Sequence, residues 1–437
     1  MNILAIIGHA KTANAFIENI RFDKCFLVLR NKQFAAAPFK DRKDIITYPI
    51  GSFMDGDYFD NVDWNEIKPL SKEIIEKMFK AEIETLHMYE RQKKIKPEFY
   101  ENRKEHYMQH LRFWNDFLDK HKIDVCFRNR PGHRGFDHII YHLCKLKSIP
   151  MFMYYSLYPD YNFILSDIEN PLQEVSTQYE ELKIKYQNES IENIELKLPS
   201  NWQTLIDEHW NRKNLSYKPI AIPSAKRHKE PQKILKSKNK KVWEFYDKNC
   251  ISPNYNEKYI YHALHFQPEA STSPLAGVFV NQLLIIEILS HLGIKIYVKE
   301  HPMLSENRSI DYYKNLLNMR NVNLIKRGED SHKLLDNSLA VATATGTVGW
   351  EAVLRGKPVI MFGGNFYQYA PGVFKIGSVE EGQAALKEIE DFISIRKNIS
   401  LFVISLLPHI FNNPKKDAKD GIIHLKRKID DLRGESK

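Results

Sequence analysis

Along this chain, short unbroken apolar runs alternate with stretches whose apolar residues fall three and four apart. The runs "NILAII" (2–7), "CFLVLR" (25–30), "DIITYPI" (44–50), "DVCFRN" (124–129) and "PMFMYYS" (150–156) predict β-strands. Between them, "TANAFIENI" and "FDHIIYHLCKLK" (136–147) carry helical spacing. A strand, helix and strand at this separation form a βαβ unit, which requires a parallel sheet. From 66 to 122 the helical period lengthens and predicts two amphipathic helices separated near Pro97. Residues 165–255 are polar, charge-rich and weakly periodic. Beyond them the alternation sharpens. Strands are predicted at "KYIYHALHF" (258–266), "IKIYVK" (294–299), "VNLIK" (322–326), "SLAVATA" and "PVIMFG" (358–363). Helices lie between them, the first a long one over 276–292 ending at Gly293.

Strict alternation of this kind is the pattern of an open, doubly wound sheet. The predicted fold class is α/β, with two Rossmann-like doubly wound domains facing each other and helical insertions. The expected boundaries are 1–165 for an N-terminal domain carrying the 66–122 insertion and 166–255 for a mixed helical segment and basic linker. Residues 256–400 form the second Rossmann-like domain, and 401–437 a helical tail.

Composition narrows the class. The chain has 437 residues, 43% apolar and 27% charged, as expected for a globular protein. No apolar run approaches the ~18 residues needed to span a bilayer. "MNILAIIGHAK" has neither a basic n-region nor a small-residue cleavage site, so it reads as a first strand rather than a signal peptide. The four cysteines (Cys25, Cys126, Cys144, Cys250) show no ligand spacing and fit reduced thiols in a cytosol. Net charge is +9, and part of the excess is concentrated in 226–241, "KRHKEPQKILKSKNKK". A solvated linker accounts for that run; an anionic membrane surface or an anionic glycan is the functional alternative. No nucleic-acid motif accompanies it. The expected location is cytoplasmic, with peripheral attachment at an inner membrane face through this segment.

Ligands in doubly wound sheets bind outside the carboxyl ends of strands, which directs attention to three turns. In "QPEASTSP" (267–274), hydroxyls of Ser271, Thr272 and Ser273 could cap the following helix or, with its N–H groups, meet an anion. "KEHP" (299–302) places Lys299, Glu300 and His301 where Pro302 ends a strand. Lysine and histidine donate strong hydrogen bonds to phosphate, and Glu300 could orient one of them. "TATGTVGWEAVLRGKP" (343–358) offers Thr345, Gly346 and Thr347 at a strand-to-helix turn. The glycine admits a positive φ or a close approach, and the helix start favours phosphate. Glu351 either complements the helix dipole or accepts hydrogen bonds from a ribose diol. Neither GxxxxGK[ST] nor GxGxxG is present in these turns. Together they read as a nucleotide pocket.

"HFQPEASTSPLAGVFVNQ", "IYVKEHP" and "ATGTVGWEAVLRGKPVIMFG" resemble the C-terminal halves of bacterial capsule and surface-polysaccharide biosynthesis proteins. That family includes capsule-type β-Kdo transferases of the GT-B fold, which use CMP-Kdo, and the His-Pro pair resembles the phosphate-holding motif of bacterial sialyltransferases. The resemblance covers 258–375 and extends weakly to 128–150. It implies an inverting glycosyltransferase that takes a CMP-activated donor, needs no metal or permanently bound cofactor, and acts on a glycan or glycolipid acceptor. His301 and Lys299 would meet the donor phosphate, Thr345, Gly346 and Thr347 would cradle it, and Glu351 would hold the ribose. No DxD stands in a comparable position.

Inversion needs a base for the acceptor hydroxyl. His9 after the first strand, His133 and Asp137 in "RPGHRGFD", and Asp160 in "SLYPDYNF" are the options; His133 or Asp137 is preferred, and a loop His133 oriented by Asp137 is one arrangement of the pair. Arg128, Arg130 and Arg134 crowd the same loop and could instead bind an anionic acceptor. A UDP-sugar transferase or epimerase-like enzyme, a CDP-alcohol phosphotransferase of the teichoic-acid type, and a non-catalytic capsule-assembly protein remain alternatives on the same fold.

Overall fold

The computed structural model describes residues 1–29, 42–49, 62–89, 100–158, 160–212, 232–267, 272–301 and 308–434, with the backbone alone for 232–239. The chain divides into two compact units, Met1–Leu172 with His409–Lys437, and Gln173–Pro408.

The first unit runs β1 (Asn2–Ile7), α1 (Ala10–Asn19), β2 (Lys24–Leu29), β3 (Ile45–Pro49), α2 (Lys72–Lys77), α3 (Phe79–Tyr89), α4 (Tyr100–Lys120), β4 (Val125–Arg128), α5 (Phe136–Leu146), β5 (Met151–Leu157) and β6 (Tyr161–Leu165). Its sheet has the order β6-β5-β4-β1-β2-β3, closed beyond β6 by a C-terminal strand, Ile410–Asn412. β1 to β5 pair in parallel. Five of six residues of β1 are buried, as a central strand covered on both faces requires. On one face α1 and the C-terminal helix Ala418–Leu432 share a core through Phe16, Ile422 and Leu425. The C-terminal residues expected to form a helical tail thus supply both a strand and a covering helix to this unit.

Two local expectations change here. The first helix of the 66–122 insertion is divided at Met78, which leaves the helical backbone region; Pro97 lies outside the described residues. "MFMYYSLYPDYNF" is a hairpin of β5 and β6, and Asp160 at its turn pairs with Lys416 and accepts from Asn413 Nδ2 at 3.2 Å. That carboxylate anchors the C-terminal segment.

The second unit runs α6 (Gln173–Lys185), α7 (Ile191–Glu195), α8 (Ser200–Trp210), α9 (Gln232–Asn249), β7 (Tyr259–Ala263), α10 (Gln282–Ser290), β8 (Lys295–Lys299), α11 (Ile310–Asn318), β9 (Val322–Ile325), α12 (Ser331–Asn337), β10 (Ala340–Thr343), α13 (Thr347–Leu354), β11 (Val359–Met361), β12 (Val373–Lys375), α14 (Val379–Glu390) and α15 (Arg396–Leu406). Its sheet is wholly parallel, in the order β12-β11-β10-β7-β8-β9. Numbered within the unit this is 6-5-4-1-2-3, the doubly wound order whose direction reverses between the first and fourth strands. The long helix expected over 276–292 is interrupted. Gly277 takes φ +54°, a 3-10 turn covers Gly277–Val280, and α10 starts only at Gln282, capped by Asn281. Neither Thr272 nor Ser273 therefore caps it. The segment expected as a linker contributes helices that pack on α15, with Arg396 bridging Glu195 at 2.7 and 3.1 Å. Among the described residues no helix is long and apolar enough to cross a membrane. Of the basic stretch 226–241, residues 226–231 lie outside the described residues.

Candidate functional site

In the second unit the winding reverses between β7 and β10, with β8 on the other side of β7. Three turns therefore leave one sheet edge side by side. His265, two residues past β7, is buried at their centre. Its Nε2 lies 3.0 Å from Thr343 Oγ1 and accepts the Ala344 N–H at 3.2 Å. A nitrogen that accepts carries no proton, so the ring is neutral with its proton on Nδ1. Burial, reinforced by His262, Arg308 and His301, pushes its pKa down to about 3. The Gln282 side chain holds the His265 N–H at 2.7 Å, and Arg308 donates to the His265 carbonyl at 2.7 Å.

The same arginine fixes the β8 turn. Arg308 forms a buried ion pair with Glu300, whose carboxylate also accepts the Tyr313 hydroxyl at 2.5 Å and the His301 N–H at 2.7 Å. Glu300 is thus the internal brace of the turn, its oxygens directed inward. Lys299 is buried and donates to Ser331 Oγ at 2.9 Å, at the start of α12. Burial lowers its pKa, opposed by the carboxylates of Asp330, Glu329 and Glu300. His301 remains half-buried against Phe266, ring centroids 5.8 Å apart. Its pKa is pushed down to about 4 by burial and then by the charges of Arg308 and Lys299.

The β10 turn supplies the helix start. Gly346 precedes α13 with φ −71°, an ordinary extended backbone, so the left-handed option is not the reason for glycine here. Crowding is: a Cβ would lie 2.8 Å from Thr343 Oγ1 and 3.0 Å from His265 Cε1. Thr343 Oγ1 accepts the Gly346 N–H at 2.9 Å. Behind the turn, Asn365 Nδ2 donates to Thr345 O at 2.7 Å and the Tyr367 hydroxyl to Gly346 O at 2.5 Å. Thr345 is buried and Thr347 exposed. The N-cap of α13 is Gly346, which has no side chain to cap the first turn, so its leading N–H groups are directed at whatever lies beyond the strand ends. Glu351, in the second turn, lies 3.4 Å from His332 Nε2. Thr272 is fully buried, and Ser271 and Pro302 lie outside the described residues.

Residues 286–392, from within α10 to just past α14, match the family model described as capsule polysaccharide biosynthesis protein. The matched stretch lies within the second unit. The match contains the β8 and β10 turns and bears out the resemblance read there. No curated protein matches the chain. Among solved structures, the β-Kdo 2,7 transferase of Thermosulfurimonas dismutans KpsC aligns at 13% identity and TM-score 0.33, over 73% of this chain and 88% of that one. The β-Kdo 2,4 transferase of the same protein aligns at 14% and 0.32, over 70% and 87%. A Methanocaldococcus jannaschii UDP-GlcNAc 2-epimerase aligns at 13% and 0.28, over 99% and 100%. Superpositions this loose say nothing of chemistry, and the fold stands on the two strand orders.

The first unit has its own reversal point, between β1 and β4. Gly8 N–H donates to Asn129 Oδ1 at 3.1 Å, tying the two strand ends together. Arg130 donates to His9 Nε2 at 3.2 Å, and His133 Nδ1 lies 2.9 Å from Pro131 O. Carbonyls only accept, so Nδ1 of His133 carries the proton and Nε2 is its basic nitrogen. The expected pairing of His133 with Asp137 gives way to another one. Asp137 is fully buried, forms an ion pair with Arg128, and accepts the Arg134 N–H at 2.8 Å. Its carboxylate fixes the loop at the start of α5.

Sequence reasoning missed His265, Arg308 and Gln282. His265 stood inside a quoted motif and was passed over as the tail of a strand. Arg308 acts through a carboxylate eight positions upstream, a contact that only the folded loop creates.

Proposed function

We propose that the chain is an inverting glycosyltransferase of surface-polysaccharide synthesis. Its donor is a CMP-activated ulosonic acid, Kdo or a relative, and its acceptor a lipid-linked or other glycan. The observation that carries this reading is the convergence of His301, the uncapped start of α13 and the His265–Thr343–Gly346 turn at the reversal point of the family-matched unit. Backbone N–H groups at a helix start and an imidazole suit the single phosphate of a nucleoside monophosphate leaving group. As the acceptor oxygen attacks the anomeric carbon, the bond to that phosphate breaks and negative charge grows on it; groups fixed beforehand stabilise it most. Glu351 suits a ribose diol. His133, through Nε2, is the residue proposed to take the acceptor proton, with His9 second. Lys299, Glu300 and Asp137 position these groups.

The test is thermal stabilisation of the full chain by CMP, CDP, UMP, UDP and GDP at matched concentration, followed by transfer assays with the matching donors. A ligand at 100 times its Kd adds about 2.7 kcal/mol, a shift of several degrees for a unit this size. CMP should stabilise selectively, and His301→Ala should remove that shift while leaving the ligand-free Tm in place. Preference for UDP or CDP would overturn the ulosonic-acid donor, and no response to any nucleotide would overturn the transferase.

A further inference from the structure

In the first unit α3 packs beside α5. Glu84 on α3 faces His138 and His142, one turn apart on α5. Glu84 Oε2 lies 2.6 Å from His138 Nε2 and 3.1 Å from His142 Nε2, and the two Nε2 atoms are 3.1 Å from each other. Three side chains from two helices thus direct one potential ligand atom each at a common point. His138 is buried, while the side chains of Glu84 and His142 are 13% and 15% exposed, so one side of the triangle opens toward solvent.

We propose that Glu84, His138 and His142 form a three-ligand site for a zinc-class divalent cation, completed by water on the open side. Bond lengths of about 2.0–2.2 Å in a tetrahedron separate ligand atoms by roughly 3.3–3.5 Å. The two edges that meet at His142, each 3.1 Å, reach that size by opening a few tenths of an ångström, and the 2.6 Å edge between Glu84 and His138 by roughly 0.7–0.9 Å. Two imidazoles with one carboxylate select zinc, cobalt or nickel over magnesium and calcium, which prefer oxygen. Lys80, one turn earlier on α3, is occupied by an ion pair with Glu169, which leaves the imidazoles as the groups facing Glu84 in the triangle. A cation there would staple α3 to α5 close to the loop that carries His133. Tyr89, at the end of α3, already fills the space a Cβ would need at Gly135, immediately before α5.

The experiment uses the full chain without an affinity tag, stripped with a chelator and titrated with Zn²⁺ and Co²⁺. One equivalent should bind, Co²⁺ should give the intense visible bands of a tetrahedral site, and Zn²⁺ should raise the Tm. His142→Ala should weaken binding by at least about tenfold while its metal-free circular dichroism matches that of the unaltered chain. Should that variant fail to fold, Glu84→Gln, which conserves volume, reads the same loss. Absence of binding, or binding that survives both substitutions, overturns the site and leaves the three side chains a hydrogen-bonded contact between helices.

Discussion

Replacing Arg308 by methionine tests whether the β8 turn is braced as described. Methionine keeps much of the apolar stem and removes the guanidinium, whose Cζ sits 5.3 Å from the Tyr312 ring centroid. Arg308 is 6% exposed and Glu300 2% exposed, so water cannot replace the lost partner without opening the turn. Deleting one member of a buried ion pair costs about 3–5 kcal/mol, because the other charge stays buried. The bond to His265 O, worth about 1 kcal/mol, is lost as well. Against this, Glu300 retains the Tyr313 hydroxyl and the His301 N–H, which holds the expected loss near the lower end, about 3 kcal/mol. Urea unfolding should show that loss, and hydrogen exchange should place it in β8 and α11.

The double variant Arg308→Met/Glu300→Gln separates pairing from packing. With the charge gone, much of the cost of Arg308→Met should disappear, giving a coupling energy within the 0.5–3 kcal/mol range of contacting residues and toward its upper end. A loss below about 1 kcal/mol for Arg308→Met, or strict additivity in the double variant, would refute the brace. His301 and His265 would then owe their positions to something other than this pair.

Gly346→Ala should cost about 1–3 kcal/mol by overpacking and weaken CMP binding, because Thr343 and His265 are buried and too short to move aside; thermal denaturation and a CMP titration read both effects. His301 should titrate near pH 4 in the free chain, by NMR of its ring protons, and higher in the CMP complex, since phosphate offsets Arg308 and Lys299. The same depressed pKa predicts a stability term present above about pH 6.5 and lost as pH falls toward 4, where the unfolded chain binds a proton that the fold does not. His301→Ala should lessen the slope of stability over that window by one group's share, since His262 and His265, also pushed down by burial, contribute with the same sign.

Much of this architecture is legible because parallel strands buried on both faces write themselves as apolar runs. β7 to β11 were found that way. β12 was not, since Val373–Lys375 is three residues long and half exposed, too short for any period to register. The interruption after Gly277 had a readable signal: Asn281 directly before "QLLIIEIL" is an N-cap pattern. Uninterrupted apolar content outweighed it in the reading of one long helix.

The site was legible to the extent that its groups come from one turn each. A strand end followed by His-Pro, or a Thr-Gly-Thr before a helix, carries its chemistry within a few residues. What decides which of those groups faces a ligand is tertiary. Glu300 looked like a partner for Lys299 or a donor phosphate, and Arg308 draws it inward. Asp137 looked like the carboxylate behind His133, and Arg128, from the preceding strand end, claims it. In both cases an arginine whose reach crosses a loop neutralises the carboxylate before a histidine can use it. A carboxylate near a histidine in sequence therefore counts as its partner only when no guanidinium lies within side-chain reach. The same logic runs in reverse for Glu84. Its nearest cation in sequence, Lys80, is held by Glu169, which leaves the carboxylate to two imidazoles that sequence places more than fifty residues away.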